Sequence, residues 1–461
     1  MKDYKLTVGL EIHAELATET KMFCNSKNNA DELKPNTNIC PVCLGYPGTL
    51  PTINKEAVRS VLRLGLAVGG DIADYSEFDR KNYFYPDIPK GYQISQYKYP
   101  LVQGGSIVGV DITRIHLEED TAKSQHNDKG DSLLDFNRAG VPLVELVTEP
   151  VIHDPETASC FAREFQLLLI YLGISKANME KGEMRVEANV SVTKSDELGT
   201  KVEIKNLNSF RSVERAIKFE TQRQIDLLKN GKSVQQETRG WDEEREETFA
   251  QRSKEGSQDY RYFPDPDLPK LFIKDIAEFK SDTLRKSLPE LPQEKRERYK
   301  KEFELKDEDI EIYVKDLELG KYFEEFVKSA QNKDIIQLGS NYIITNPSTR
   351  NISVSRVVDT MHMVVEGELS STSAKLILKE LEEKDEDPKK IAEEKGLIQI
   401  SDKKKLEVVA KKVISNNTKA VDEYKKGKMS SLQFLVGQTM KEMKGSGNPK
   451  LLQKIFEDLL S

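Results

Sequence analysis

The segment 112–120 alternates polar and apolar residues. Alternation predicts a β-strand, in which successive side chains point to opposite faces, with Ile115 and Leu117 together on one of them. The other face carries a guanidinium, an imidazole and two carboxylates, from Arg114, His116, Glu118 and Asp120. Burying such a face is costly unless something charged lies on it. The pattern therefore indicates either a charged binding site or a solvent-exposed outer face.

Two further segments favour the binding site. Residues 8–13 alternate in the same way, with Glu11 and His13 on one face of the predicted strand. Residues 143–147 form an apolar run that is interrupted by a single carboxylate, Glu145. Three strands that each contribute an acid or an imidazole predict one site at which their side chains meet.

Glu145 needs a compensating cation, because burial among apolar side chains raises the pKa of a carboxyl group. A magnesium ion would supply the charge, since it takes hard oxygen ligands. A buried salt bridge to Arg138 or Arg185 would supply it equally well. This strand alone leaves both alternatives open.

Later segments add helices to the strand-rich N-terminal part. Residues 154–173 begin with an acid and a proline, a typical helix start, and end at a glycine. Residues 184–192 and 201–205 predict two more strands. The second strand leads into a helix that ends near Gly231 and that either Asn208 or Ser209 could cap. Free backbone N–H groups at such a turn suit an anion.

The pattern of polar and apolar residues changes after Pro292. Residues 293–401 have the pattern of charged amphipathic helices, and residues 402–461 predict a separate small helical bundle. We therefore predict an α/β (α+β) domain over 1–292, an all-helical domain over 293–401 and a helical tail over 402–461. A chain of 461 residues is too long for one core, which agrees with this division.

Charge is unevenly distributed along the chain. The whole sequence has a net charge of −8, but residues 403–461 contain 13 Lys against 6 Asp or Glu, a balance of +7 that leaves −15 elsewhere. A basic tail on an acidic body indicates either a local polyanion contact or a solvated helix surface. No run approaches the roughly 20 apolar residues of a membrane span. With no signal-peptide pattern and no disulfide-type cysteine spacing, we expect a cytoplasmic protein.

Cys24, Cys40 and Cys43 raise the possibility of a metal site. The pair Cys40 and Cys43 has the spacing of a zinc knuckle, in which two thiolates bind one ion. A structural zinc site ordinarily has four ligands, and this neighbourhood offers three thiols with Ser26 beside them. Structural zinc and three reduced, packed thiols both stay open.

Cations and aromatic residues are mixed in the segment 78–97. Arg80 and Lys81 precede a cluster of aromatic residues, a composition that suits either phosphate and base contacts or an aromatic mini-core. Arg239, Arg252 and Arg261 are further candidate phosphate contacts. The sequence lacks a P-loop, a dinucleotide-binding glycine turn and a zinc-protease helix. Any nucleotide chemistry must therefore use a less familiar scaffold.

Six motifs in order resemble the B subunit of the glutamyl/aspartyl-tRNA amidotransferases. They lie at residues 8–13, 78–87, 116–120, 184–192, 205–210 and 259–264, and residues 434–438 and 444–445 resemble the family's YqeY-type tail. The resemblance implies a cradle-like catalytic domain around an antiparallel sheet, then a helical domain, then the tail. Residues 338–356 depart from the family pattern, so tRNA contacts there are not carried over.

The resemblance implies an activity that composition does not reveal. Members of the family use ATP to phosphorylate the side-chain carboxylate of Glu or Asp misloaded on tRNA(Gln) or tRNA(Asn). Ammonia then displaces phosphate to give the cognate amide. The implied partners are an amidase-type A subunit that releases ammonia from glutamine, a small C subunit, and the misacylated tRNA.

Site residues follow from the resemblance by position. It implies that the catalytic residues are Glu11, His13, Glu118, Glu119 and Glu145. It implies that the Mg²⁺ ligands are Glu11, His13, Glu118 and Glu145. We expect the ATP contacts to be Arg80, Lys81, Arg185, Asn208 and Ser209. Alternation favours Glu118 over Glu119 as the metal ligand, because Glu119 shares a face with apolar residues. Family members with the zinc knuckle have a second thiol where this sequence has Ser26.

Rival interpretations come from other functional classes. The acid and imidazole residues could form a stand-alone metal-dependent hydrolase, which would need neither ATP nor aminoacyl-tRNA. The chain could also be a non-catalytic tRNA-binding scaffold that recruits the glutaminase. An archaeal relative that is specific for tRNA(Gln) carries an inserted domain that this sequence lacks. The sequence does not decide which of the two tRNAs is the natural substrate.

Overall fold

A long central strand organises the N-terminal part of this computed structural model, which describes residues 3–127, 129–253, 260–399, 403–443 and 447–460. The strands within these ranges are β1 Lys5–Glu15, β2 Asp71–Ile72, β3 Tyr75–Ser76, β4 Asp79–Asn82, β5 Tyr92–Ser95, β6 Val102–Gln103, β7 Ser106–Ile107, β8 Val110–Glu119, β9 Lys123–His126, β10 Ser132–Asp135, β11 Pro142–Thr148, β12 Met184–Thr193, β13 Val202–Leu207, β14 Glu237–Asp242, β15 Glu247–Ser253, β16 Phe263–Pro264 and β17 Leu271–Phe272.

The helices in the same ranges are α1 Lys55–Ala67, α2 Pro155–Tyr171, α3 Phe210–Lys229, α4 Ser281–Arg285, α5 Pro292–Phe303, α6 Asp307–Lys315, α7 Leu317–Ala330, α8 Lys333–Thr345, α9 Val354–Val365, α10 Ser371–Leu381, α11 Pro388–Glu394, α12 Lys403–Asn416, α13 Thr418–Lys425, α14 Met429–Glu442 and α15 Pro449–Leu460. Short 3-10 helices lie at Ile273–Asp275, Ala277–Phe279 and Pro347–Asn351.

Ten strands form the main sheet, in the order β15-β14-β13-β12-β1-β11-β8-β6-β2, with β7 also paired to β8. The pairs are antiparallel except for β13 with β14, which is parallel. The predicted α/β cradle domain with a largely antiparallel sheet is therefore confirmed. A separate three-stranded sheet, β16-β4-β5, carries residues of the segment 78–97.

The two faces of the main sheet differ in chemistry. On β1, Val8, Leu10 and Ile12 are fully buried and belong to the hydrophobic core. Helices α2 and α3 pack against each other, and they contact β1 and β12 respectively. The opposite face of β1 keeps its polar residues, so the apolar half of the alternation holds the helices and the polar half is left for the site.

Side-chain caps fix where the two covering helices begin. Asp154 accepts a hydrogen bond from the backbone N–H of Thr157 at 2.6 Å, as predicted for the start of α2. Ser209, rather than Asn208, caps α3 by accepting from the backbone N–H of Ser212 at 3.0 Å. A cap of this kind stabilises a helix by about 1 kcal/mol.

The chain divides into two compact units, Met1–Pro292 and Gln293–Ser461. The second unit is helical in its described part, with an aromatic core in which the Tyr313 and Phe323 rings stack 4.2 Å apart. Helices α12 to α15 have a hydrophobic cluster of their own, which includes Leu406, Ala410, Leu432, Leu435, Leu452 and Phe456. Residues 401 and 402, at which we divide helical domain from tail, lie outside the described ranges, as do 444–445 of the tail motif. Among the described residues, no helix is long and apolar enough to cross a membrane.

Candidate active site

The strand register places two predicted site residues, His13 and Glu145, in one row across the sheet with His116. Strand β11 lies between β1 and β8, and Glu145 is directly opposite His13 on one side and His116 on the other. The Nε2 atoms of His13 and His116 lie 3.3 Å and 3.1 Å from the same Glu145 oxygen, Oε2. Glu145, which the sequence pattern placed in an apolar strand, therefore lies between two imidazoles.

Glu118 lies beside this row, at the next polar position on β8. Its Oε1 atom lies 3.8 Å from His13 Nε2, and its Oε2 atom lies 3.4 Å from the ammonium of Lys81. Gln93 on β5 donates a hydrogen bond to Glu118 through Nε2. The small sheet therefore contributes a cation and an amide to a site whose carboxylates come from the main sheet.

Five side chains form what we call the acid–imidazole cluster: Glu11, His13, His116, Glu118 and Glu145. Their potential ligand atoms fall into two groups, each with mutual distances within 4.8 Å. The first group is Glu11, His13 and Glu145, and the second is His116, Glu118 and Glu145. Carboxylates and imidazoles in this arrangement suit a divalent cation, so the residues fit the magnesium site that the family resemblance implies.

Burial and mutual repulsion set the charge states in the cluster. Burial raises the pKa of Glu11 to about 7, and the Glu145 carboxylate adds to this effect. Burial alone would lower the pKa of His13, but its hydrogen bond with Glu145 and the nearby carboxylates outweigh this and raise the pKa to about 9. Burial likewise opposes the charge of Glu145, yet His116 and His13 hold its pKa well below the usual range. Without a metal, the cluster therefore retains a proton on His13 at neutral pH.

Glu119 points away from the cluster. It forms an ion pair with Lys90 and accepts a hydrogen bond from the backbone N–H of Ile94 at 2.8 Å. The geometry therefore places Glu118 in the cluster and Glu119 outside it, in line with the alternation of β8. That Glu118 is a metal ligand remains a prediction.

The salt-bridge alternative for Glu145 named the wrong arginines. Arg185 donates to Asp120 Oδ2 from both terminal nitrogens at 3.1 Å, and Arg138 Nε lies 3.5 Å from the same oxygen. Within the described ranges, Arg114 is the arginine that pairs with Glu145, and its Nη2 is 3.8 Å from Oε1. Asp120 follows the last residue of β8, which places its carboxylate beyond the cluster and beside these two guanidinium groups.

Other predicted phosphate contacts already have partners. Arg80 donates to Asp265 at 2.7 Å and to Asp267 at 2.9 Å, and its guanidinium lies over the Tyr92 ring. Arg239 donates to Glu237 at 2.9 Å and to Thr248 Oγ1 at 2.8 Å. The side chain of Arg252 lies outside the described part of the structure, and Arg261 is exposed.

Asn208 and Ser209 lie beside a hollow of about 410 Å³ at the start of α3, which Gln166, Lys176 and Asn178 also line. Asn208 is exposed. Lys176 and the N-terminus of the 20-residue helix α3 suit a negatively charged group, whereas Glu180, which also lines the hollow, opposes one.

The three cysteines of the N-terminal part meet as predicted from their spacing. Their sulfur atoms lie within 4.8 Å of one another, and Ser26 Oγ is 3.9 Å from Cys43 Sγ. The ammonium of Lys21, which is fully buried, is 3.8 Å from the same sulfur. Hydrogen bonding from Cys24 and the charge of Lys21 lower the pKa of Cys43 to about 5. The three thiols would be the ligands of a zinc ion, with the Ser26 hydroxyl beside them, and zinc binding remains a prediction.

Sequence reasoning placed aromatic residues after Lys81 but missed that Tyr260 and Tyr262 join them. The Lys81 ammonium lies 5.2 Å from the centre of the Tyr260 ring, and Tyr260 in turn packs against Tyr83 and Tyr262. Tyr262 stacks on Tyr97 at 4.4 Å. The aromatic runs at 83–85 and 260–263 were visible, but nothing in their spacing indicated that they meet.

Comparison with known proteins adds an independent observation. The profile described as "GatB/GatE catalytic domain" matches residues 6–277, and the profile described as "GatB domain" matches residues 321–460. The B subunit of the aspartyl/glutamyl-tRNA(Asn/Gln) amidotransferase of Crocosphaera subtropica is 42% identical over 492 aligned positions, covering 100% of this chain and 98% of that protein. The corresponding protein of Thermotoga petrophila is 44% identical over 486 positions, covering 99% of each chain.

Proposed function

The chain belongs to the GatB/GatE family, as its six motifs predicted, and from this premise we propose that it catalyses ATP-dependent transamidation of Glu-tRNA(Gln), Asp-tRNA(Asn) or both. The observation that carries the proposal is the acid–imidazole cluster. It gathers three carboxylates and two imidazoles on the polar face of the sheet that the family's catalytic domain spans.

The reaction has two steps. An oxygen of the misloaded side-chain carboxylate attacks the γ-phosphorus of ATP, and the bond to the bridging oxygen of ADP breaks. The nitrogen of ammonia then attacks the acyl phosphate carbon, the carbon–oxygen bond breaks, and phosphate and a proton leave. Phosphoryl transfer gains chiefly from positioning and from neutralisation of oxygen charge.

Magnesium, when bound, would supply part of that neutralisation. We propose Glu11, His13, Glu118 and Glu145 as its ligands. His116 keeps Glu145 in place by its 3.1 Å contact, and Lys81 adds a fixed positive charge beside Glu118. Glu119, paired with Lys90, would act at the edge of the site rather than on the metal.

ATP recognition would use Lys81 beside this cluster and the N-terminus of α3. Lys81 is the predicted phosphate contact whose ammonium reaches the cluster, and Asn208 and Ser209 offer the N-terminus of α3. Arg80 and Arg185 would each have to release a carboxylate before binding phosphate, so we assign them a smaller role in ATP binding.

The proposed assembly is a heterotrimer in the cytoplasm, with an amidase-type A subunit as the glutaminase and a small C subunit. The misacylated tRNA is the substrate, and the basic tail would contact its backbone. Lys411, Lys419 and Lys425 are exposed on the helices of this tail.

The test is transamidation by the reconstituted complex with Glu-tRNA(Gln) and Asp-tRNA(Asn), with ammonium replacing glutamine in one arm. We expect amide formation that requires ATP and that survives omission of the A subunit when ammonium is present. Failure to form the amide with ATP present would contradict the proposal, and metal-dependent hydrolysis that needs neither ATP nor aminoacyl-tRNA would favour the hydrolase alternative. Full activity after alanine replaces both Glu11 and Glu145 would favour the scaffold alternative and contradict the proposal equally.

A further inference from the structure

We propose that a row of aromatic side chains, which projects from the small sheet, stacks against the unpaired bases at the acceptor end of the tRNA. This aromatic row consists of Tyr83, Phe84, Tyr85, Tyr97, Tyr260 and Tyr262. The inference rests on the proposed function and deepens it, because it locates the part of the substrate that carries the reacting amino acid.

The tyrosine rings of the aromatic row contact one another in succession. Tyr85 packs edge-on against Tyr83 with ring centres 6.1 Å apart, and Tyr83 packs against Tyr260 at 5.7 Å. Tyr260 packs against Tyr262 at 6.0 Å, and Tyr262 stacks on Tyr97 at 4.4 Å. Segments that are far apart in the sequence therefore form one continuous set of rings.

The ends of the aromatic row are exposed, which distinguishes it from an aromatic mini-core. Phe84 is 80% exposed, Tyr85 is 52% exposed and Tyr97 is 59% exposed. The Phe84 ring lies against the backbone of Gly91, where an added Cβ would be 3.2 Å from a ring carbon. Large aromatic side chains that are exposed together mark binding surfaces in soluble proteins. The exposure therefore favours base contacts over the mini-core.

Two contacts join the aromatic row to the acid–imidazole cluster. The Lys81 ammonium lies 5.2 Å from the centre of the Tyr260 ring and 3.4 Å from Glu118 Oε2. The Tyr83 hydroxyl donates to Gln93 Oε1 at 2.7 Å, and the Gln93 amide donates to Glu118. A single side chain therefore separates the rings from a carboxylate of the cluster.

The chemistry of the substrate selects the acceptor end as the occupant. The misloaded amino acid is esterified to the terminal ribose, so a short chain of single bonds joins its side-chain carboxylate to the last nucleotide. When that carboxylate reaches the cluster, the last nucleotides must lie at the edge of the cluster, where the aromatic row is. Unpaired bases stack on aromatic side chains with little dependence on sequence.

A cation accompanies the exposed end of the row. Lys98 follows Tyr97 in the chain, is exposed, and has its ammonium 5.1 Å from the centre of the Tyr99 ring. An ammonium beside exposed rings suits a nucleotide strand, because stacking holds the bases and the positive charge attracts the phosphates.

The experiment compares two RNAs for binding to the reconstituted complex: deacylated tRNA(Gln) with its acceptor end intact, and the same tRNA trimmed of its unpaired acceptor nucleotides. Stacking of one base changes affinity by a factor of about 5 to 150. We therefore expect Phe84→Leu and Tyr97→Leu each to weaken binding of the intact tRNA about tenfold and to leave binding of the trimmed tRNA unchanged.

Two control variants test whether the ring itself is responsible. Tyr97→Phe keeps the ring and removes the hydroxyl, so it should bind both RNAs as wild type does. Phe249→Leu removes a ring that is 43% exposed on β15, outside the aromatic row, and should also match wild type. Trp241 fluorescence, from the single tryptophan of the chain, checks that each variant is folded.

Several results would overturn the inference. A wild-type complex that binds the intact and trimmed tRNAs equally well would do so whatever the variants do. Equal losses for the two RNAs in the folded leucine variants would do so as well. A raised KM for ATP with unchanged tRNA binding would assign the aromatic row to the adenine ring instead.

The binding measurement needs neither ATP nor ammonia, so it is separate from the test of the proposed function. Losses confined to the intact tRNA would support the aromatic row even in a complex that forms no amide. Unchanged binding by both leucine variants, together with normal ATP-dependent transamidation, would remove the aromatic row and leave the proposed function standing.

Discussion

Glu15 provides a quantitative test of the electrostatics beside the site. It is the last residue of β1 on the polar face, two positions beyond His13. Burial raises its pKa from the ordinary 4.5 to about 7; the nearby Asp120 carboxylate adds to the rise, and Arg185 and Arg138 oppose it. Folding therefore favours the protonated form of this carboxyl group.

The sign and size of the effect follow from that pKa. A raised pKa stabilises the folded state below about pH 4.5, and this stabilisation is lost as the pH rises through about 7. A difference of about 2.5 in pKa corresponds to about 3.5 kcal/mol, at about 1.4 kcal/mol for each pKa unit. Glutamine is neutral at every pH, so Glu15→Gln should gain about 2–3 kcal/mol relative to wild type between about pH 5 and pH 8.5.

Urea unfolding followed by Trp241 fluorescence measures this gain, because the single tryptophan is buried in the same unit as Glu15. The control is Glu19→Gln, which removes an exposed carboxylate from the same part of the chain and should show a constant difference from wild type. A variant that becomes less stable than wild type as the pH rises would refute the reasoning, because Glu15 would then be a charged partner of Arg185.

Three further predictions use other parts of the chain. The purified chain alone should not hydrolyse glutamine, because its cysteine cluster contacts Lys21 and Ser26 rather than a glutaminase histidine; measurable glutaminase activity would contradict this. Removing the tail from about residue 402, or replacing Lys411, Lys419 and Lys425 with alanine, should weaken tRNA binding. The slope of log affinity against log salt concentration should fall in magnitude by about 0.9 for each phosphate that is no longer neutralised. An unchanged slope would exclude these lysines as phosphate contacts. Ser26→Cys should increase the zinc retained after dialysis against a chelator, measured by elemental analysis, because the Ser26 oxygen lies 3.9 Å from Cys43 Sγ; equal zinc content in both proteins would show that the added thiol does not complete a site.

Alternation was sufficient to predict which side chains share the polar face of the sheet. Glu11, His13 and Glu118 were assigned to that face from the period of two, and the structure places them there. Glu145 was recognised as anomalous because it interrupts an apolar run. Alternation carries no information on register, however, so nothing in the sequence indicated that His116 and His13 would meet the same oxygen.

Side chains that reach the site from distant parts of the chain could not be predicted from the local sequence pattern. Gln93 reaches Glu118 from a strand 25 positions earlier in the chain, and Tyr260 reaches Lys81 from 179 positions later. Arg185 was a plausible partner for Glu145 by composition alone, but Asp120 lies closer once the strands pair. Such choices depend on long-range pairing, which a local period of two does not encode.

The most direct test of the central claim is ATP turnover by Glu145→Gln in the reconstituted complex with misacylated tRNA, over a range of Mg²⁺ concentrations. The substitution keeps the shape of the side chain and removes the charge that lies between His13 and His116. Glu149→Gln is the matched control, because Glu149 follows the same strand and contacts Thr113 rather than the cluster. We predict loss of Mg²⁺-dependent turnover in Glu145→Gln with a melting temperature close to that of the control. Normal turnover with a lowered melting temperature would contradict the account and identify the cluster as a structural salt-bridge network.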